Sequence, residues 1–139
     1  MIYITQDDLK TESFERFITD STSDFPTVID KAELKSIGIA KTLLQARYDV
    51  TVIFDEANPV RDEFLAEIIT KLTLGKIFAR NAARKLPTDI KEDSDWALKQ
   101  LEKINAGRLV LSLPIITPDS GAPTSDTIWG NNTNKNYYI

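Results

Sequence analysis

Lys76, Arg80 and Arg84 recur every fourth residue, so a helix through them stacks three cations along one side. Lys71 and Lys85 add to the region, and no acidic residue falls between positions 71 and 88. Like charges at this spacing repel by roughly a few tenths of a kcal/mol per pair. A facing set of carboxylates, in the same protomer or in a neighbour, would offset that cost. DNA phosphates or plain solvation are the other ways to accommodate such a stripe. The acidic clusters are Asp7-Asp8, Asp55-Glu56 and Asp62-Glu63-Glu67. None has the alternating ligands and central glycine of a cation-binding loop, and a helix start alone accounts for Asp62 and Glu63. No metal site and no cofactor is therefore expected.

The chain has no histidine and no cysteine. It thus lacks the commonest general base near neutrality, the commonest metal ligand, a thiolate nucleophile and any disulfide. Aspartate, glutamate, lysine and tyrosine could still do chemistry, but nothing identifies a paired catalytic geometry, and no enzymatic activity is expected. The net charge of −4 argues against nucleic acid as a main ligand. Its distribution says more. Residues 1–70 carry 7 basic and 14 acidic side chains, whereas residues 71–108 carry 9 basic and 5 acidic.

These charges need elements to hold them. At 139 residues, 42% of them hydrophobic, one domain with an adequate core is expected. Thr5 followed by Asp7 and Asp8 reads as the capped start of a short helix containing Leu9. Phe14, Phe17 and Ile18 suggest a second helical piece, and the polar segment Ser21-Thr22-Ser23-Asp24-Phe25-Pro26 a loop. A long helix is expected over residues 27–48, its apolar face formed by Ile29, Ala32, Ile37, Ala40, Leu43, Leu44 and Tyr48. Gly38 within it suggests a close approach to another helix. Residues 49–58 read as a connection with strand-like character at Val50, Val52, Ile53 and Phe54. Pro59 opens a second long helix reaching residue 82 or beyond. Its apolar residues, from Phe64 to Phe78, cover more than one side. Such a helix is central to a bundle or keeps one side for another subunit. Pro87-Thr88-Asp89 starts the last helix, and Gly107 closes it. Alternating Leu109, Leu111 and Leu113 read as one short strand stopped by Pro114.

Beyond Pro114 the composition turns to Thr, Pro, Asp, Ser, Gly and Asn. Such a tail builds no core of its own. Its aromatic and apolar residues Trp129, Tyr137, Tyr138 and Ile139 are candidates for partner contact or for folding back on the domain. Arg47-Tyr48-Asp49 ends the first long helix; there Arg47 complements the dipole and Tyr48 buries its ring and bonds through its hydroxyl, or both meet a partner. No apolar run reaches the length of a membrane span, and the first residues lack the pattern of a secretory signal. The resulting expectation is an all-α bundle of about four helices, two of them long, over residues 1–114, with a short C-terminal strand or hairpin. Residues 115–139 form an extended tail.

The order of these features resembles the head–tail connector, or head-completion, proteins of Mu-like tailed phages. The resemblance rests on Leu43-Leu44-Gln45-Ala46-Arg47-Tyr48-Asp49, on Arg80 and Arg84 before Pro87, and on Leu101, Ile104 and Gly107 followed by Leu109 and Leu111. It spans residues 1–114. It implies a structural protein of the virion, assembled in the host cytoplasm, with no catalysis and no cofactor. Copies would form a ring between the portal protein and tail-completion proteins, through which DNA passes without specific binding and without any membrane. Arg47, Tyr48, Lys76, Arg80, Arg84, Trp129, Tyr137, Tyr138 and Ile139 are the interface candidates. Head-to-tail contacts close a ring when the rotation permits. A small cytoplasmic adaptor that binds one protein through its tail is the alternative, and a duplex-DNA binder using the basic stripe is a third reading.

Overall fold

The structure, a computed structural model, describes residues 1–12, 18, 26–80 and 88–117. Among the described residues five helices follow one another: α1 (Gln6–Glu12), α2 (Pro26–Leu44), α3 (Val50–Ile53), α4 (Glu63–Ala79) and α5 (Thr88–Asn105). The fold is all-α, as the periodicity leads one to expect. Phe14, Phe17, most of the 21–26 loop, Arg84, Pro87 and the tail residues Trp129, Tyr137, Tyr138 and Ile139 lie outside the described residues. No helix among the described residues is long and apolar enough to cross a membrane.

The helix α4 is the centre of the molecule. Leu65, Ala66, Ile68, Ile69, Leu72, Leu74 and Ile77 are buried around its circumference, together with Thr70, Thr73 and Gly75. It packs on α1, α2 and α5, and α5 packs in turn on α2. The expectation of an all-round apolar helix is met by intramolecular burial. Each large apolar side chain so enclosed contributes about 1.5–3 kcal/mol relative to exposure. From α2 the core takes Ile37, Ala40 and Leu44; from α5 it takes Ala97, Leu101 and Ile104.

Glycine marks where helices meet most closely. A Cβ on Gly75 would lie 2.9 Å from Ser94 Oγ and 3.1 Å from its Cβ, so α4 and α5 touch there. Gly38, in contrast, is exposed, and a Cβ on it would meet nothing within 4 Å. The close approach expected at Gly38 belongs to Gly75. Buried polar groups fix the register of α2 against α4: Thr73 donates to Ser36 Oγ at 3.1 Å, and Ser36 to the Ala32 carbonyl at 3.0 Å.

Several stretches differ from the sequence reading, each for a reason that its contacts supply. The helix α2 ends at Leu44, not Tyr48, because residues 45–47 form a turn and Tyr48 makes an antiparallel bridge with Ile115. Asp49 then caps a short helix where strand character was expected, accepting N–H bonds from Thr51 at 3.2 Å and Val52 at 3.3 Å. The helix α4 starts after Asp62, which accepts from Leu65 N at 2.9 Å, and not at Pro59. Val60 is held in a tight return instead, its N–H donating to the Ile53 carbonyl at 3.0 Å.

Finally, residues 109–113 form no strand. Leu113 is buried and Leu109 and Leu111 half-buried, so the alternation is real, but no ladder accompanies it. It serves packing on the helices alone. Gly107 does close α5, at φ 76°, the left-handed position that glycine takes without steric cost. Thr5 and Asp8 form the expected reciprocal cap, with Thr5 N donating to Asp8 Oδ2 at 2.7 Å and Asp8 N to Thr5 Oγ1 at 3.2 Å.

Candidate functional site

The cations of α4 divide by angle around its axis. At about 100° per residue, Lys76 lies about 140° from Lys71, and Arg80 about 180°. Lys71 therefore faces α1 and α5, whereas Lys76 and Arg80 face α2.

Lys71 is thoroughly paired. Its Nζ lies 2.9 Å from Glu12 of α1, 3.3 Å from Asp93 of α5 and 3.8 Å from Glu67 one turn back. The Trp96 ring centroid is 5.7 Å away. Burial by itself would lower the pKa of this ammonium, but the bonds from Glu12 and Asp93 outweigh it, and the pKa is raised. Arg61 is likewise occupied, reaching Asp8 at 2.9 Å and Glu63 at 2.8 Å. Partial burial pushes the Asp8 carboxyl upward, yet the Arg61 and Thr5 hydrogen bonds overcome that and hold it below the ordinary carboxylate range. Asp8, Glu12, Glu63 and Glu67 line a small acidic cleft between α1 and α4. All four are already bridged by Arg61 or Lys71.

Lys76 and Arg80 have no such partner among the described residues. They line a groove of about 680 Å³ between α4 and α2, facing Lys31 and Lys35 across it. The pairs 31/35 and 76/80 each lie one helical turn apart, so two rungs of cations face each other over a floor that includes Thr27, Ala32 and Ala79. None of the four makes an ion pair among the described residues. Among the described residues the groove is lined by α2 and the end of α4. All four groups are lysine or arginine. Such a groove attracts and orients anions; it offers no general base near neutrality. Among the described residues no group of three or more acidic side chains is placed to hold a metal ion.

The remaining described candidates are placed differently. Tyr48 is a core residue at 1% exposure, its hydroxyl accepting from Leu111 N at 2.8 Å. In this structure it offers no surface to a partner. Arg47 is exposed beside it, the guanidinium 6.0 Å from the Tyr48 ring centroid, and its carbonyl accepts from Ile116 N at 3.0 Å. The structure thus joins Lys76 and Arg80 in one feature and leaves Arg47 at the other end of α2.

Sequence reasoning missed Lys31 and Lys35. Their signal was present: two lysines one turn apart on the amphipathic pattern of α2, beside its apolar face. Which helix they would face could not be read from one helix alone. Pairing of the basic stripe with acids of the first half is not what the described residues of the protomer show. Those acids serve Arg61 and Lys71 instead, and Glu33 holds backbone N–H groups of residues 2–4. Comparison with known proteins finds no matching family model, no matching curated protein and no matching solved structure.

Proposed function

We propose that this chain is an assembly protein, a protomer of the head–tail connector class that its sequence resembles. It acts by docking beside copies of itself and against portal and tail-completion proteins of a phage particle, and it carries out no catalysis. DNA passes through the resulting ring without specific binding. The virion is then its place of work, after assembly in the host cytoplasm.

One observation carries this reading. The protomer neutralises some cations internally with short ion pairs and leaves four others facing an open groove without any described counter-charge. Repulsion between cations one turn apart is a standing cost, and an external anionic surface removes it. Electrostatic complementarity of this kind sets register and partner choice more than raw affinity. The closed hydrophobic core and the surface location of the unpaired charge favour docking over chemistry in a pocket.

Co-expression with the portal and tail-completion proteins of the same phage tests it. The expected result is a stable complex, visible as rings by negative-stain electron microscopy. Failure of the folded protein to bind any portal or tail component at low ionic strength overturns the reading.

A further inference from the structure

The groove is cationic on both walls, so it calls for an anionic occupant with charges spaced along its length. The structure holds such an object in α5. Asp89, Glu92 and Asp95 repeat every third residue in its first half and are exposed at all three positions. They project over about 9 Å of helix axis. None of the three makes an ion pair among the described residues. Asp93, on the inner side of the same helix, is the one spent on Lys71.

Availability separates this surface from the other acids. Asp8, Glu12, Glu63 and Glu67 answer to Arg61 and Lys71, so docking against them would have to break existing pairs. Asp49 and Asp62 cap helices. The outer face of α5 keeps its carboxylates uncommitted. Position matters equally. Among the described residues the groove is lined by α2 and the end of α4, and no residue of α5 lines it. Within the protomer the four groove cations make no ion pair with Asp89, Glu92 or Asp95.

Resting on the assembly reading and sharpening it, we infer that the first half of α5 of one copy docks in the Lys31–Lys35–Lys76–Arg80 groove of the next. The contact is heterologous: groove and helix are different surfaces, so every copy offers one of each. Repetition propagates as a ring when the rotation closes and as an open string when it does not. The groove presents four cations to three carboxylates, and the contact weakens as salt screens it.

Two charge-reversed proteins test the contact: K31E/K35E/K76E/R80E in the groove and D89K/E92K/D95K on α5. Circular dichroism first establishes that each is folded. Sedimentation velocity then follows self-association at about 50 mM and about 500 mM salt, above and below the range over which surface charges feel one another. The wild-type chain is expected to associate at low salt and to do so at least about tenfold more weakly at high salt. Each variant alone is expected to lose association by at least about tenfold. An equimolar mixture of the two restores it, because the reversed helix now fits the reversed groove and the native pair remains. Carbodiimide coupling of the wild-type protein joins Lys31, Lys35 or Lys76 of one isotopically labelled copy to Asp89, Glu92 or Asp95 of an unlabelled one.

A wild-type chain that stays monomeric at millimolar concentration and low salt overturns the inference, as does a mixture that fails to associate. Loss of association from groove reversal alone, with α5 reversal silent, also overturns it and assigns another anion to the groove. Binding of a fluorescent duplex that depends on Arg80, without self-association, replaces it with nucleic acid. The portal assay keeps the two levels distinct. Portal binding without the helix-in-groove contact sinks this inference only, and the contact without portal binding sinks only the connector reading.

Discussion

At the scale of single residues, the most informative side chain is one that the motif search passed over. Glu33 lies on α2 at 1% exposure, and its carboxyl oxygens accept from Ile2 N at 2.8 Å, Tyr3 N at 2.7 Å and Ile4 N at 2.9 Å. Three backbone donors that no helix or sheet could satisfy converge on one acceptor group. Glu33→Gln turns one oxygen into an NH2 that faces donors. The expected loss is about 2–4 kcal/mol of stability, read from urea unfolding, with the N-terminal segment released first in hydrogen exchange. Tyr3 continues the same arrangement on the other side. Its hydroxyl donates to the Val60 carbonyl at 3.0 Å and accepts from Asp62 N at 2.9 Å. Burial pushes its pKa from 10.0 up to about 12, against the lowering effect of the Asp62 N–H. The fold therefore holds the phenol proton more tightly than the unfolded chain does. The associated stability is complete below about pH 10 and is lost as pH rises from there towards about 12. Tyr3→Phe should flatten that alkaline slope, and absorbance near 295 nm should show one late-titrating tyrosine that the variant lacks.

At the scale of elements, glycine gives a paired test. Gly38→Ala adds a methyl to open space on a helix surface and should stabilise by about 0.5–1 kcal/mol, since alanine has less freedom to lose. Gly75→Ala gains the same propensity but must displace Ser94, so its thermal midpoint should fall below that of Gly38→Ala by several degrees. Equal effects would disprove the close contact of α4 and α5. Sequence alone indicated the helical class, the reciprocal cap at Thr5 and Asp8, the glycine stop at Gly107 and an α4 apolar on more than one side. All of these are local or periodic properties, written within a few residues or one helical face. The misread parts depend on contacts remote in sequence. Tyr48 leaves its helix to meet Ile115, and Val60 returns to Ile53. Gly38 and Gly75 look alike in a helical pattern until a neighbouring helix distinguishes them. The same limit governed the groove: the stripe on α4 was legible, but Lys31 and Lys35 became part of it only when α2 was laid alongside.

At the scale of the whole molecule, charge is sorted by use. Lys71 draws α1, α4 and α5 together through Glu12, Glu67 and Asp93, with little exposure to solvent. Lys71→Met would leave three carboxylates facing one another and should cost about 2–4 kcal/mol in chemical unfolding, with α1 detaching first. The cations of the groove stabilise nothing inside the protomer, and their reversal should leave the unfolding midpoint unchanged while abolishing association. A last consequence comes from the bridge between Tyr48 and Ile115. Asp49 N donates to the Pro114 carbonyl and Ile116 N to the Arg47 carbonyl, one bond on either side of it. Tension arriving from beyond Thr117 would end at this clamp and pass through the enclosed Tyr48 into the body of the bundle. The last turn of α5 is thereby relieved of load, much as a cable is gripped ahead of its terminal.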